Sequence, residues 1–519
     1  MPSRFSTGSI LIAPMHSLAL LVLAAVALRV FHTVFRAWQH RHLPFPPGPP
    51  PRALIGNFLD LPTKLPWVTY TKWGIQYGNL VHVSVPGQHI VVVNSSKTAV
   101  ELFEKRSHMY SDRPVFTMVK LMGWDAIFAT LPRGDKWRAH RRMFHQHFRP
   151  DALRNYRPIQ IEKIHLLLQG LLSSPEEFLK HFKTVAAAII MEMVYGYEVQ
   201  PTNDHFVSLS ESVVKKAGES VFPGAVAVNT FPILRYLPSW MPGAGFQRFA
   251  AEVRQLTKEM QEVPVNFVKQ NMRDGMDSTS VVAKLLAANR YDEVAIQSVA
   301  VTAYTGGADT SVSSFASFCL AMALYPEIQK KAQTEIDTVI GTDRLPEFED
   351  RPSLPYIEAL YREVMRWKPV SPLGVPHAST EDDVYDGYFI PKGTTVIGNI
   401  WAMTRDESIY HEPDRFNPDR FFTADGKLNE DTTILAFGFG RRICAGRHHA
   451  DATIWATIVS VLSTFNIEKA KDATGKEINI DPKYSDGLIS HPEPFACSIT
   501  PRSEMAKTLV QATAETHDV

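Results

Sequence analysis

Apolar residues recur along this chain in distinct rhythms, and each rhythm predicts a different kind of element. From Ile10 to Leu28 the run is almost continuous, broken by Pro14, His16 and Ser17; Arg29 interrupts it and Val30 to Phe35 continue it. About 20 apolar residues span a bilayer core, so the stretch predicts a single N-terminal transmembrane helix. Arg4 precedes it, whereas Arg29, Arg36 and Arg41 follow. That asymmetry leaves the bulk of the chain on the cytoplasmic side. A signal-peptidase-like Ala25-Val26-Ala27 offers the alternative of a cleaved leader. The proline run from Pro44 to Pro51 cannot continue a helix and predicts a stiff hinge.

Beyond the hinge the β-branched runs Val81–Val85 and Ile90–Val93, joined by Pro86-Gly87-Gln88-His89, predict a hairpin. Ser95 and Ser96 offer caps for a helix through about Arg106. From about Asp151 to Lys284 apolar positions recur every three or four residues, the mark of helices. Phe231 to Gly243 interrupts them with a proline-broken apolar stretch. That stretch is either a loop packed on the core or a surface that meets lipid or an apolar substrate.

The longest helical pattern runs from Asp292 to Leu324 and is closed by Pro326. Its roughly 33 residues would make a rod about 50 Å long. Gly306 and Gly307 sit in its middle, each weakening a helix by roughly 1 kcal/mol relative to alanine. The Thr310 hydroxyl there is placed to bond back to the Gly306 carbonyl and open the turn. The alternative divides the stretch into two helices, with Asp309 capping the second. Ser353-Leu354-Pro355 then begins a helix whose apolar stripe is Ile357, Leu360, Val364 and Trp367. Glu363 and Arg366, three apart, share a face of it. Short strands follow from about Pro372 to Asn399, then an irregular Pro- and Asp-rich stretch, Tyr410 to Phe422. The residues after Ser503 are polar and predict a frayed tail.

The expected fold class is mostly α with small β-sheets, an α+β domain behind a single N-terminal membrane helix. The parts are an anchor over 1–36, a basic, proline-rich hinge over 37–56, a catalytic domain over 57–502 and a polar tail over 503–519.

Composition narrows the partners. Lys+Arg and Asp+Glu both number 54 among 519 residues, so the basic footprint of a nucleic-acid binder is missing. The three cysteines, Cys319, Cys444 and Cys497, are too few for a disulfide framework or a cysteine-rich zinc or iron–sulfur site. A cysteine that binds metal here does so alone. Cys444 is the one set among glycines, within Phe437-Gly438-Phe439-Gly440-Arg441-Arg442-Ile443-Cys444-Ala445-Gly446.

Together these positions resemble the cytochrome P-450 family of haem-thiolate monooxygenases, of the fungal microsomal kind found in secondary metabolism, over nearly the whole chain. The family's F-x-x-G-x-R-x-C-x-G signature is matched at Phe437, Gly440, Arg442, Cys444 and Gly446. Five fixed positions arise by chance somewhere in such a chain with odds on the order of 1 in 10,000. The E-x-x-R motif is matched by Glu363 and Arg366, and Arg420 of Phe416-Asn-Pro-Asp-Arg420-Phe421 completes the family's charge network. Glu412-Pro-Asp-Arg415 fits the same short pattern but lies in a Pro-rich loop. The oxygen-activation motif is matched from Gly306 to Ser311, and W-x-x-x-R at Trp137 and Arg141.

The resemblance implies the cytochrome P-450 fold, haem b held by Cys444, and a thiolate whose electron push favours O–O cleavage. It implies propionate contacts from Arg442, Trp137, Arg141 and His377, shielding of the ligand by Phe437, and a structural role for Glu363, Arg366 and Arg420. Thr310 and Asp309 would stabilise bound oxygen and relay protons. Electrons would come from NADPH through a separate reductase, with cytochrome b5 as a further donor, because no strand–turn–helix dinucleotide fingerprint is present. The basic face Arg138, Arg142, His145 and Arg149 is either an ordinary solvated face or a dock for such an acidic partner. Lipophilic substrate would face Val115–Trp124, Val221–Met241, Ser298–Thr305, Leu373–Val375 and Ser485–Ile489, on a protein of the endoplasmic reticulum membrane. A haem-thiolate isomerase or dehydratase needing no reductase is the alternative, and the Asp309–Thr310 pair argues against it.

Overall fold

The computed structural model describes residues 43–515 except 221, 223, 224, 277, 278 and 433. The anchor expected over 1–36 therefore lies outside the described residues. Among the described residues no single helix is long and apolar enough to cross a membrane.

Among the described residues there are eight short strands, β1 Leu80–Val85, β2 Gln88–Val93, β3 His377–Ala378, β4 Asp383–Tyr385, β5 Tyr388–Ile390, β6 Thr395–Gly398, β7 Phe465–Lys469 and β8 Cys497–Pro501. Contacts divide the chain into two units. The small one combines Glu381–Lys392 with the described residues 43–46, and contains the β4–β5 hairpin. There the Phe389 N–H donates to the Pro44 carbonyl (2.8 Å) and the Phe45 ring lies 6.0 Å from that of Phe389.

In the large unit, Pro47–Thr380 with Gly393 onward, the predicted hairpin forms as β1–β2 with Val85 opposite Gln88. It extends into a four-stranded sheet of order β1-β2-β6-β3, in which β2 and β6 run parallel. From Pro47 onward the proline stretch expected to be a hinge is docked on this sheet. The His82 N–H donates to Pro47 O (3.0 Å), and the Asn57 amide donates to Pro49 O (3.0 Å).

The long helix is continuous from Glu293 to Leu324, which rules out the division into two. Along most of its length it is buried, and it packs along the helix Phe178–Tyr195. Gly307 explains how closely: a Cβ there would stand 3.2 Å from Ile190 of that neighbour. The helix expected from Ser96 ends in a widened turn, Val100–Lys105, with Arg106 N–H bonded to Glu101 O. Such π turns recur at functional sites, and this one carries Phe103 toward the cysteine loop.

Two expectations change. The tail is not frayed from Ser503: Glu504–Glu515 is helical, with Ala506 and Val510 buried. A sparse apolar stripe packs on the helix Arg157–Ser173, whose Gln169 donates to the buried Thr513 hydroxyl (2.8 Å). The stretch Phe231–Gly243, left open between core and surface, is surface. Ile233 and Trp240 are 71% and 77% exposed, although the first turn of the helix Gly245–Arg273 holds the stretch, Gln247 donating to the carbonyls of Arg235 and Leu237 and Arg248 to that of Ser239.

Candidate active site

The cysteine loop is two tight turns, Ile434–Phe437 and Gly440–Arg442, followed by the helix Arg447–Thr464. The Cys444 N–H donates to Phe437 O (2.8 Å) and closes the loop on itself. Gly440 is required twice over. Its φ is +52°, and a Cβ there would stand 2.0 Å from the Phe103 carbonyl oxygen. Phe103 in turn packs on Phe439 and His377, with ring centres 5.4 and 4.5 Å away.

Burial pushes the Cys444 thiol up, while the Gly446 N–H bonded to it and the charges of Arg141 and Arg447 pull it down. Its surface is nevertheless open, because the sulfur faces a cavity deep within the protein and not bulk water. Cys319 and Cys497 are also free thiols, and burial pushes both up, Cys497 to about 12. Neither has the cationic surroundings of Cys444.

Five basic side chains line that cavity, Arg113, Arg141, Arg442, His377 and His449, and no carboxylate does among the described residues. Burial lowers all five, and the first four lower one another: Arg442 and Arg113 both act on His377, and Arg442 itself falls to about 10. Arg442 is held by Ser111 O (2.8 Å) and Leu131 O (2.9 Å), and its guanidinium lies 4.2 Å from the centre of the Trp137 ring. Its Nη1 is buried with no partner. His377 Nδ1 sits 2.7 Å from Tyr110 O. A cationic wall with an orphaned donor is the complement of an absent dianion. A Cβ at Gly446 or Gly306 would meet no protein atom within 4 Å. These features fit haem, for which Cys444 would be the iron ligand and the basic wall the place for its propionates.

Opposite the cysteine, Gly306, Gly307 and Thr310 of the long helix reach the same cavity. The Thr310 hydroxyl donates to Gly306 O (2.7 Å), the back-bond expected from the sequence. Asp309 is not on the cavity wall. Its Oδ1 lies 3.3 Å from His491 Nε2 on the outer side of the helix.

Glu363 and Arg366 are fully buried and doubly bonded, at 2.6 and 2.8 Å. Arg420 Nε reaches Glu363 Oε1 (3.3 Å), as does the Asn417 N–H (2.8 Å). The network's remaining bonds end on the carbonyls of Thr404, His411, Glu412, Pro413 and Arg415. It therefore holds the segment before the cysteine loop and acts on the loop only through the chain that leads there. The decoy pair Glu412 and Arg415 is an exposed contact at 3.8 Å.

Of the segments expected to face substrate, Thr302 to Thr305, Leu373 to Val375 and Leu488–Ile489 reach the cavity. Val115–Trp124 contributes only Trp124, and among the described residues Val221–Met241 contributes none. Val214, Ile127 and Phe128 take their places. Sequence reasoning missed Arg113 and His491. Each is a lone residue in a loop, with no periodic or motif signal to mark it.

The family model described as Cytochrome P450 matches residues 46–499. Cytochrome P450 monooxygenase 208 of Postia placenta is 42% identical over 95% of this chain and 98% of its own length. Cytochrome P450 monooxygenase claR of Ampulloclitocybe clavipes is 41% identical over 91% and 89%. Cytochrome P450 monooxygenase ple1 of Rhodocybe pseudopiperita is 40% identical over 95% and 96%. With its thiol and basic wall set for haem, and relatives alike from end to end, this chain belongs to the cytochrome P450 family of monooxygenases.

Proposed function

We propose that this monooxygenase inserts one oxygen atom from dioxygen into a lipophilic small molecule of fungal secondary metabolism. Electrons would come from NADPH through a separate reductase, with cytochrome b5 as a further donor. The observation that carries the reading is the cavity itself. Cys444 and Thr310 share it with Trp124, Ile127, Phe128, Leu373 and Leu488, and its charged residues are basic. An apolar molecule is desolvated there at no polar cost, whereas a cationic amine would meet only like charge.

Haem held by a thiolate supplies dioxygen activation and O–O cleavage when bound. The chain's own residues do the rest. Gly446 donates its N–H to the Cys444 sulfur, which moderates how strongly that sulfur donates. The aromatic wall keeps water from the substrate. Asp309 takes protons from water on the outer side of the helix, and Thr310 passes them into the cavity. Two electrons and two protons accompany each dioxygen, so that one oxygen atom enters substrate and the other leaves as water.

The apolar run from Ile10 to Leu28 and the exposed Ile233, Tyr236 and Trp240 support a place on the endoplasmic reticulum membrane. Turnover of a panel of terpenes, indoles and phenols with NADPH and reductase tests the function. A product heavier by one oxygen atom is expected, and turnover without NADPH consumption would overturn the reading.

A further inference from the structure

Between Val294 and Leu324 the long helix carries one charged residue, Asp309. Asp309, Ser313 and Ser317 follow at four-residue steps and therefore share a face. All three hold one loop. The Tyr484 hydroxyl lies 2.9 Å from Ser317 Oγ, the Ser313 hydroxyl donates to Ser490 O (2.6 Å), and His491 Nε2 lies 3.3 Å from Asp309 Oδ1. The loop is also closed on itself. The Ser485 N–H donates to His491 O (2.8 Å), the His491 N–H donates to Ser485 Oγ (3.0 Å), and the Ser490 N–H donates to Val370 O (2.8 Å). None of these bonds uses the imidazole, so the backbone of His491 is fixed independently of what its side chain does.

The pair sits at the boundary of the protein, with the His491 and Asp309 side chains 29% and 28% exposed. One residue further along the helix, Thr310 faces the cavity. The other charged groups of the loop are engaged elsewhere or lie beyond its pinned ends. Lys483 pairs with Asp481 (2.9 Å), Asp486 accepts the N–H groups of Leu65 and Gly487, and Glu493 is past the turn.

We propose that His491 is a positioning residue for proton delivery. Its Nε2–H holds Asp309 Oδ1 at the water side of the helix, so that the carboxylate is aligned to take a proton from water and hand it to the Thr310 hydroxyl. Thr310 then releases its own proton into the cavity, and Asp309 returns to the carboxylate. His491 neither gains nor loses a proton over the cycle. The inference rests on the relay assigned above to Asp309 and Thr310.

The test uses the full chain loaded with haem, cycling with NADPH and reductase without added substrate. It reads the fraction of reducing equivalents released as hydrogen peroxide instead of water. His491→Ala should raise that fraction about two- to tenfold, the factor that the loss of one hydrogen-bond donor to a carboxylate supports. His491→Gln, which keeps a donor, should restore the original fraction. Thr310→Ala and Asp309→Asn calibrate the relay. If neither raises peroxide, the relay reading fails; if both do and His491→Ala does not, this inference fails alone. A second readout is independent of turnover. In the carbon monoxide form labelled with nitrogen-15 histidine, the His491 Nε2 resonance should move on Asp309→Asn, and an unmoved resonance would refute the pairing.

Discussion

Arg442 lies with its guanidinium 4.2 Å from the centre of the Trp137 ring, and the two residues bind the cysteine loop to the helix Asp135–Phe148. Two of its nitrogens are matched to carbonyls and the third, Nη1, is buried and alone. A buried unmatched donor on a charged group costs several kcal/mol unless an anion meets it. Arg442→Leu removes the charge and leaves Ser111 O and Leu131 O without donors. We expect haem loading, read as the carbon monoxide band of reduced protein, to fall at least tenfold at limiting haem. Arg442→Lys should fall between, because an ammonium cannot serve the carbonyls and the anion together.

Glu363 and Arg366 predict a loss of a different kind. Glu363→Ala would strand a fully buried guanidinium, at a cost of about 3–5 kcal/mol. The cost should appear in denaturant unfolding as a lower midpoint, whether or not haem is present. Glu412→Ala, in the exposed copy of the motif, should change stability by less than about 0.5 kcal/mol.

Acid should destabilise the fold through His449. This imidazole lies buried behind the cysteine loop, and burial lowers it to about 4. In the unfolded chain it titrates near 6.5. Between those values the unfolded state binds the proton that the folded state refuses, so stability rises with pH across the window. The stabilisation is complete above about pH 6.5 and is lost as pH falls toward 4, amounting to about 3 kcal/mol. His82, lowered to about 3 by burial and by His89, adds in the same direction. Unfolding free energies measured from pH 4 to 7 should show this slope, and His449→Gln should flatten it.

The glycines of the cysteine loop separate structure from cofactor. Gly440→Ala must bear a left-handed backbone, about 1–2 kcal/mol, and a collision with the Phe103 carbonyl. Gly438, at φ +77° with no atom near its missing Cβ, should bear the backbone cost alone. Gly446→Ala has neither penalty, since its φ is −91° and the space beside it is open. Thermal unfolding of the haem-free proteins should rank them in that order. Gly446→Ala should still lower haem affinity, because its methyl enters the cavity.

Much of this was legible in the sequence wherever function is written in local spacing. The long helix with its glycine pair, the Thr310 back-bond, the Glu363–Arg366 pair and Cys444 all depend on residues close in the chain. What stayed hidden depends on where distant segments meet. His491 reaches Asp309, and Arg113 reaches the carbonyls of Val375 and Pro376, only once the fold is formed. The proline stretch read as a hinge for the same reason, because its extended backbone is equally able to lie along a strand. Of the expected substrate segments, Val221–Met241 puts no described residue on the cavity and Val115–Trp124 only its last, because apolar character does not say which side of a loop faces inward. Trp240 is as apolar as Trp124, yet one faces solvent and the other lines the cavity.

The two mid-helix glycines lead to opposite expectations for one methyl group. At Gly307 a Cβ would press on Ile190 at 3.2 Å, so the gain in helix propensity of Gly307→Ala is offset by displacement of that side chain. At Gly306 nothing lies within 4 Å, and Gly306→Ala should stabilise the fold by about 1 kcal/mol. The same methyl would stand at the turn where Thr310 bonds back, on the cavity side of the helix. A more stable protein with slower product formation and more peroxide is therefore expected. If Gly306→Ala were more stable and equally active, the pair would be a matter of helix packing alone and the turn at Gly306 would have no part in the chemistry.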